Sequence, residues 1–338
     1  MRSLIVNKDG SLSIKEVPTP KPGPKEALVK TIACGMCGTD VKIIHRTFKG
    51  VPESSYPLML GHEGVGEVVE TGAEVKGLKI GDRVLLPFVE PTPEFGSAWG
   101  AFSEYAIVQD VLAHEVGKAP SAAYAQTILG DLDPVDSVML VTFREVLSAI
   151  RYFGIGASDS IVIFGCGPVG LTFVKLLSLL GCKNIIAVDI DNDKLKEATI
   201  NGAKITINNK SGDVAVKIRQ EYPSGVKYVL DAVGLPQIVN QAMGLLQDRG
   251  SVLCYGVLAK EEITIDFSKA SYNWNFVCQQ MPSKEEEGAA HEQILKWINE
   301  GKLVMKDFIS DYFSFEESVE AFEKLLDRKL IKKGIIKF

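Results

Sequence analysis

Residues 161–189 read IVIFGCGPVGLTFVKLLSLLGCKNIIAVD, and this stretch of sequence decides the fold. A β-branched apolar run leads into the turn GCGPVG at 165–170, and an apolar segment with helical spacing follows it. Gly181 marks the end of that helix, and Ile185–Val188 predicts a second strand with Asp189 at its carboxyl end. The order strand, tight turn, helix, strand predicts the beginning of a doubly wound parallel sheet.

The three glycines of the turn each meet a different physical requirement. Gly165 permits the tight turn, Gly167 lets the backbone approach a pyrophosphate, and Gly170 lets the helix pack closely on the strand. Pro168 and Val169 begin the helix, where free N–H groups and the helix dipole would hold phosphate oxygens. This context predicts a dinucleotide-binding site, the alternative being a tight strand-to-helix turn that binds nothing.

Asp189 indicates which dinucleotide is bound. A carboxylate at this position accepts hydrogen bonds from the adenosine ribose hydroxyls and repels a 2′-phosphate, so the sequence favours NAD over NADP. Gly234 and Val257 follow two later strands and are further candidates, on the nicotinamide side of the site. The alternative for both is an ordinary turn at the end of a strand.

Length and composition restrict the class of protein. The chain has 338 residues, which exceeds the usual size of one core and predicts two domains. Its net charge of −6 argues against nucleic acid or an anionic membrane surface as a partner. The amino-terminal segment lacks the apolar core of a signal peptide, and the apolar runs are too short for a membrane span. Six scattered cysteines are too few for a disulfide framework and fit a reducing compartment, so we expect a cytoplasmic protein.

The pattern of strands and helices predicts how the domains are arranged along the chain. Residues 1 to about 120 contain short β-rich runs broken by Pro and Gly, which predict an irregular β-barrel. Residues 161 to about 266 alternate strand and helix, which predicts a parallel sheet covered on both faces. The tail is expected to return to the first domain. We therefore expect a first domain of residues 1–150 completed by 268–338, and a nucleotide domain of residues 151–267.

Two short motifs of the first domain, C-G-T-D at 37–40 and G-H-E-G at 61–64, contain residues that bind metals. A thiolate from Cys37, an imidazole from His62 and a carboxylate from Glu63 suit Zn²⁺. Three protein ligands with one open position are typical of catalytic zinc. The alternative is that Cys37 is a small buried hydrophobe and that His62 is a turn residue bonded to the backbone.

These motifs, together with G-D-R-V at 81–84 and the glycine turn, resemble the zinc-dependent medium-chain alcohol and polyol dehydrogenases over the whole chain. The resemblance implies a GroES-like catalytic domain, a Rossmann domain that binds NAD, and a homodimer or homotetramer. It implies Cys37 and His62 as zinc ligands and Glu63 as a direct or outer-shell ligand. Thr39 would take the proton of the substrate alcohol, so Thr39 and Glu63 are the candidate catalytic residues.

The sequence departs from the family pattern in two ways that affect the metal and the proton path. The segment 85–105, where the family has a structural zinc lobe, contains no cysteine, so we expect one catalytic zinc and no structural zinc. The histidine that often ends the family's proton relay is replaced by Lys42, with His45 three residues further on. The exit of the relay is therefore open.

A third departure concerns the remaining zinc ligand. The family takes it from a Cys, Glu or Asp shortly before the nucleotide domain, but an ungapped count falls near Val141, which cannot bind a metal. With a gap, Asp133-Pro134 resembles the Glu-Pro of polyol enzymes, and we choose Asp133. The alternative is an acid that caps the helix from Pro134. Three other acids compete with Asp133: Asp131, Asp136 and Glu145.

We therefore expect an enzyme that oxidises a secondary alcohol to a ketone, the substrate being a polyol, a sugar derivative or a hydroxy amino acid. Zinc would lower the pKa of the alcohol, and NAD would take the hydride. A zinc-independent quinone or enoyl reductase of the same fold and a non-catalytic NAD-binding sensor are the alternatives. Trp99 and Phe102 are candidates for the pocket lining, although core packing is the simpler role for both.

Overall fold

The computed structural model describes residues 1–258 and 262–338. These residues divide into two units, Met1–Arg144 with Ser283–Phe338, and Glu145–Pro282. None of the described helices has both the length and the apolar character needed to cross a membrane.

In chain order, the strands of the described residues are β1 (Arg2–Val6), β2 (Leu12–Glu16), β3 (Glu26–Gly35), β4 (Leu58–Met59), β5 (Gly64–Thr71), β6 (Arg83–Leu85), β7 (Gly96–Ser97), β8 (Tyr105–Gln109), β9 (Ser160–Phe164), β10 (Asn184–Asp189), β11 (Ile205–Asn208), β12 (Val226–Asp231), β13 (Leu246–Cys254), β14 (Trp274–Cys278), β15 (Ile309–Ser314) and β16 (Lys333–Lys337). The α-helices are α1 (Gly38–Ile44), α2 (Ser121–Ala125), α3 (Met139–Phe153), α4 (Pro168–Leu179), α5 (Asn192–Ile200), α6 (Val214–Glu221), α7 (Pro236–Met243), α8 (Lys284–Asn299) and α9 (Ser318–Leu326).

The second unit is built on one parallel sheet with the strand order β11-β10-β9-β12-β13-β14. The order 3-2-1-4-5-6 is that of a doubly wound dinucleotide-binding sheet, so the predicted Rossmann class is confirmed. The apolar run of β9 lies in the middle of the sheet, and Ile161 to Phe164 are all buried. A central parallel strand is covered by helices on both faces, which is why its sequence is continuously apolar instead of alternating.

The strands of the first unit form two sheets. One has the order β2-β1-β4-β7, and the other has the order β15-β16-β3-β5-β6 with β8 paired to β3. The expected irregular β-barrel is thus present as two sheets, and within the described residues neither hydrogen-bonded path closes on itself. Strands β4 and β7 contain only two residues each, and between Ser3 and Ser103 the pairing is a single isolated bridge. Pairing of that length is too short to close a continuous barrel.

The tail returns to the first unit through its last strand. Ile336 of β16 pairs antiparallel with Cys34 of β3, and the side chains of both lie in the same apolar core. The return begins at Ser283, later than the expected residue 268. The reason is that β14 pairs in parallel with β13 and so extends the sheet of the second unit.

Candidate metal centre and dinucleotide site

Cys37, His62 and Glu63 lie together in the first unit. Their sulfur, imidazole nitrogen and carboxylate oxygen atoms all lie within 4.8 Å of one another. Within residues 1–258 and 262–338, this is the one group of three or more His, Cys, Asp or Glu residues with that spacing. The structure therefore brings together the three candidate zinc ligands that the two motifs contain.

The three candidate ligands lie at the ends of secondary-structure elements or in the turn beside them. Cys37 precedes α1 as its N-cap residue, and Glu63 directly precedes β5. Between them in the chain, Gly61 adopts a φ of +111°, and a Cβ atom there would lie 2.6 Å from the backbone nitrogen of Phe102. Because only glycine tolerates both conditions, the turn before His62 depends on Gly61.

Asp40 lies behind His62 and completes the local arrangement. Its side chain is fully buried; Oδ2 accepts a hydrogen bond from the backbone N–H of Cys37 at 2.9 Å, and Oδ1 lies 3.3 Å from His62 Nδ1. A carboxylate at one imidazole nitrogen is the usual support of a metal-binding histidine, because it orients the ring and fixes the tautomer. Asp40 was not among the predicted site residues, although its place three residues after an N-cap is the signal of a capping box.

The electrostatic environment of His62 favours a positive charge at this position. Burial opposes protonation and is the largest influence on the pKa of the imidazole, but the adjacent Asp40 carboxylate and the neighbouring Cys37 sulfur outweigh it. Together they raise the pKa of His62 well above its ordinary value. A site that attracts a proton in this way is also electrostatically suited to a cation.

Lys333 of β16 forms a buried ion pair with Glu63. Its Nζ atom lies 2.7 Å from Oε1 and 2.5 Å from Oε2, and the side chains of Lys333 and Glu63 are 1% and 2% exposed. Thr142 of α3 adds a hydroxyl donor at 3.4 Å from Oε1. The carboxylate of Glu63 thus belongs to the metal-binding group and is neutralised by an ammonium group at the same time. No local motif signals Lys333, which is 270 residues away in the sequence.

Asp133 does not join the metal-binding group. Its Oδ1 atom accepts hydrogen bonds from the backbone N–H groups of Val135 and Asp136, each at 2.9 Å. The carboxylate therefore caps the turn that leads into α3, which is the alternative role that the sequence allowed. Among the described residues, the group of convergent ligands contains none of the three competing acids either: Asp131, Asp136 and Glu145.

Thr39 is half-buried in the first turn of α1, two residues after Cys37. Lys42 is half-buried in the last turn of the same helix, and His45 is its exposed C-cap residue. Residues three apart lie close to one another on a helix surface, so these three positions lie along one side of α1, with His45 at the exposed end. The relay itself stays a prediction.

Of the two aromatic residues suggested for the pocket, Trp99 lies beside the candidate metal centre. Its ring centroid is 5.3 Å from that of His62, with a tilt of 52°. Phe102 is fully buried and packs edge-on against Phe322 in the core of the first unit. The structure thus brings Trp99 to the site and gives Phe102 the packing role.

The glycine turn of the second unit has the geometry that a dinucleotide requires. Gly165 has a φ of +95°, and a Cβ atom on Gly170 would collide with the carbonyl oxygen of Gly165. By contrast, a Cβ atom on Gly167 would have no neighbour within 4 Å, so this position faces open space. Pro168 and Val169 are half-buried at the first two positions of α4, beside that space.

Asp189 lies at the carboxyl end of β10 and is bonded to the glycine turn. Its Oδ2 atom accepts from the backbone N–H of Cys166 at 2.6 Å, and Oδ1 accepts from the N–H groups of Ile190 and Asp191 at 2.7 and 3.0 Å. A carboxylate has about four lone-pair positions, so capacity for ribose hydroxyls remains. The carboxylate therefore positions the turn and faces the same edge of the sheet.

Gly234 and Val257 lie against each other after β12 and β13. Gly234 has a φ of +85°, and a Cβ atom there would collide with the carbonyl oxygen of Val257. Asp231 holds the turn, because its Oδ1 atom accepts from the N–H groups of Val233 and Gly234 at 2.8 and 2.9 Å. The carboxyl ends of parallel strands are where such sheets bind ligands, so these two positions stay candidates for cofactor contact.

Comparisons with known proteins identify the family. Residues 23–118 match the family model for an alcohol dehydrogenase GroES-like domain, and residues 168–278 match that for a zinc-binding dehydrogenase. An alcohol dehydrogenase of Geobacillus stearothermophilus is 32% identical over 274 residues, which cover 76% of this chain and 77% of that protein. The chain therefore belongs to the zinc-dependent medium-chain alcohol dehydrogenase family. It is an oxidoreductase of a family that binds zinc and uses NAD or NADP.

Other relatives extend the similarity to the whole chain. L-galactonate-5-dehydrogenase of Escherichia coli is 26% identical over 348 residues, covering 100% of this chain and 99% of that protein. (R,R)-butanediol dehydrogenase of Bacillus subtilis is 28% identical over 258 residues, covering 69% of this chain and 70% of that protein. The crystal structure of galactitol-1-phosphate dehydrogenase from Escherichia coli has the same fold, with a TM-score of 0.82 at 22% identity and 100% of both chains covered.

Proposed function

We propose that the chain is an NAD-dependent dehydrogenase that oxidises a secondary hydroxyl group to a ketone with one catalytic zinc ion. The observation that carries this proposal is the convergence of the Cys37, His62 and Glu63 ligand atoms within 4.8 Å. Sulfur, imidazole nitrogen and carboxylate oxygen are the donor types that Zn²⁺ prefers.

The residues around the candidate metal centre fit the ion. Cys37 and His62 would hold it, Asp40 would orient His62, and Glu63 would be a third ligand or an outer-shell partner held by Lys333. When bound, zinc supplies a Lewis acid that lowers the pKa of an alcohol. The tilted ring of Trp99 beside His62 would exclude water from one side of the site.

Thr39 is the residue of this chain that we assign to proton transfer. A threonine hydroxyl both donates and accepts, so it can take a proton from the substrate hydroxyl and pass its own proton on. Lys42 and His45 follow on the same helix, and His45 is exposed. We propose that the proton leaves along this helix face.

The second unit would bind NAD through its own residues. Gly167 would leave room for the pyrophosphate beside the N–H groups at the start of α4, and Asp189 would accept from the adenosine ribose. When bound, NAD supplies the hydride acceptor. Because a carboxylate repels a 2′-phosphate, we expect NAD to be preferred over NADP.

The substrate class rests on the relatives. The names of L-galactonate-5-dehydrogenase and butanediol dehydrogenase both denote oxidation of a hydroxylated small molecule. We propose a polyol, a sugar derivative or a hydroxy amino acid for this chain, and a homodimer or homotetramer as its assembly.

A combined metal and turnover experiment tests the proposal. We expect one zinc per chain after reconstitution, and NADH formation from a panel of secondary alcohols. Cys37→Ser should lose zinc and activity, whereas Asp189→Ala should keep zinc but bind NAD weakly. Reduction of a quinone or an enoyl compound by zinc-free protein would favour the metal-free reductase. Binding of both zinc and NAD without turnover on a wide panel would favour the sensor.

A further inference from the structure

Cys254 and Cys278 are direct neighbours on adjacent strands. Cys254 ends β13, Cys278 ends β14, and the two residues are register partners in this parallel pair. Neighbouring strands are about 4.8 Å apart, and a disulfide needs a Cα separation of about 4.4–6.8 Å. The backbone therefore already meets the distance requirement of a disulfide bond, while both residues are free thiols.

Register partners on adjacent strands carry their side chains on the same face of the sheet, so the side chains of the two cysteines are neighbours. Burial is the main cause that raises the pKa of the Cys254 thiol to about 12, and the charge and a hydrogen bond of Cys278 add to the effect. The same strand pair brings another pair of register partners into contact, because Asn275 Nδ2 donates to Ser251 Oγ at 3.4 Å. In each of these two pairs, the side chains of the register partners thus lie next to each other.

The two thiols differ in access to solvent. Cys278 is exposed, whereas Cys254 is fully buried. This combination places an accessible sulfur, which a dissolved oxidant can reach, directly beside a protected second sulfur. Redox-active cysteine pairs need these two properties, an accessible thiol and a resolving thiol within bonding range.

Cys254 is connected to the turn that we assign to the cofactor. The side-chain amide of Gln280 donates to Cys254 Sγ at 3.6 Å and to the carbonyl oxygen of Gly256 at 2.9 Å. Gly256 packs so closely on Gly234 that a Cβ atom on Gly256 would collide with the Gly234 nitrogen. The Cys254 sulfur is therefore linked to Gly234 by a chain of contacts through Gln280 and Gly256.

We propose that Cys254 and Cys278 form a reversible disulfide in response to a hydroperoxide, and that this disulfide weakens NAD binding at the Gly234 turn. The second half of this inference rests on the proposed function; disulfide formation does not. With hydrogen peroxide as the oxidant, the Cys278 thiolate attacks one peroxide oxygen, the O–O bond breaks, and Cys278 becomes a sulfenic acid with release of hydroxide. Cys254 then attacks that sulfur and loses its thiol proton, so that the S–S bond forms and water leaves. Two thiols are oxidised and one peroxide is reduced, and a dithiol reductant reverses the change.

The test uses the full chain, reduced and then treated with hydrogen peroxide. Peptide mass mapping should find the Cys254–Cys278 disulfide, with its removal by dithiothreitol, and titration should find an NAD Kd raised about threefold to tenfold. That range corresponds to the loss of one hydrogen bond. Cys278→Ser should abolish both effects and keep the Kd of the reduced protein. Cys182→Ser, a buried thiol of the same unit, is the matched control and should behave like the unaltered chain.

The possible outcomes separate this inference from the proposed function. A Cys278 that is oxidised only to sulfinic acid, or that stays unreactive in the native protein, overturns the disulfide. A disulfide that forms without changing the NAD Kd overturns the link to the Gly234 turn. A reduced protein that binds no NAD overturns the proposed cofactor, while the mass mapping still decides on the disulfide.

Discussion

The ammonium group of Lys333 lies 2.7 and 2.5 Å from the two carboxylate oxygens of Glu63, and both side chains are buried. The pair joins β16 to the residue that precedes β5, within the group of candidate zinc ligands. Removal of one partner from a buried pair leaves an uncompensated charge, and this costs more than the pair contributes. The energetic consequences of this contact can therefore be measured by mutation.

Lys333→Met is expected to lower the free energy of unfolding by about 3–5 kcal/mol, because it leaves the Glu63 carboxylate buried and unpaired. The double variant Lys333→Met/Glu63→Gln should recover most of that loss. Chemical denaturation of zinc-free protein measures both. Lys329→Met is the control, since the ion pair of Lys329 with Asp327 is exposed and such pairs contribute little to stability. Equal effects at Lys333 and Lys329 would show that the buried pair has no special role.

Asp40→Asn is expected to weaken zinc binding by about 10-fold to 100-fold without removing a ligand, because Asp40 orients His62. Competition with a zinc-binding dye measures the change. Cys34→Ala is the matched control in the same segment: Cys34 is buried in the apolar core and lies outside the group of ligands. If Cys34→Ala lost zinc while Asp40→Asn retained it, Cys34 would be a zinc ligand and the assigned role of Asp40 would be wrong.

The glycine turn allows a comparison of two substitutions with the same chemistry. Gly167→Ala adds a methyl group in open space, so the fold should be unchanged while the NAD Kd rises about tenfold or more. Gly170→Ala places its methyl group against the Gly165 carbonyl, and we expect a loss of about 3 kcal/mol in stability. Thermal unfolding and NAD titration of both variants separate the two effects. Normal NAD affinity in Gly167→Ala would remove the turn from the cofactor site.

The lowered pKa of His291 predicts that the protein loses stability in mild acid. Burial, with the nearby charge of Arg144, lowers the pKa of His291 from 6.5 to about 4. Between pH 6.5 and 4, His291 is therefore protonated in the unfolded chain but neutral in the folded chain. The free energy of unfolding consequently falls as the pH falls from about 6.5 towards 4. The slope is at most about 1.4 kcal/mol per pH unit. His291→Gln should flatten the dependence of Tm on pH in this range, and parallel curves for both proteins would contradict the assignment.

Local sequence was sufficient for the parts of the molecule that one segment builds. The glycine turn, β9, α4 and Asp189 lie within 30 consecutive residues, and their spacing carries the information directly. The class of the second unit followed from them and is confirmed by the strand order. The spacing of Cys37 from His62 with Glu63 likewise identified residues that converge in space.

The features that could not be predicted depend on distant pairing. Lys333 reaches Glu63 only because β16 pairs with β3, and no pattern near either residue records that register. Asp133 failed for a different, local reason: an acid before a proline can act either as a metal ligand or as a helix cap. Its hydrogen bonds to Val135 and Asp136 give it the second role. The Asp133 carboxylate accepts from backbone N–H groups two and three residues further along the chain instead of joining the candidate zinc ligands.

The pairing of Ile336 with Cys34 has a consequence for synthesis of the chain on a ribosome. The edge of β3 must wait until residues 333–337 have emerged, whereas Glu145–Pro282 is contiguous, lies earlier in the chain and can fold first. Until then Glu63 has no ammonium partner and the strand edge is open to wrong pairing. Assembly of the candidate metal centre is therefore expected to follow the folding of the second unit, and nascent chains halted before β16 should depend on chaperones.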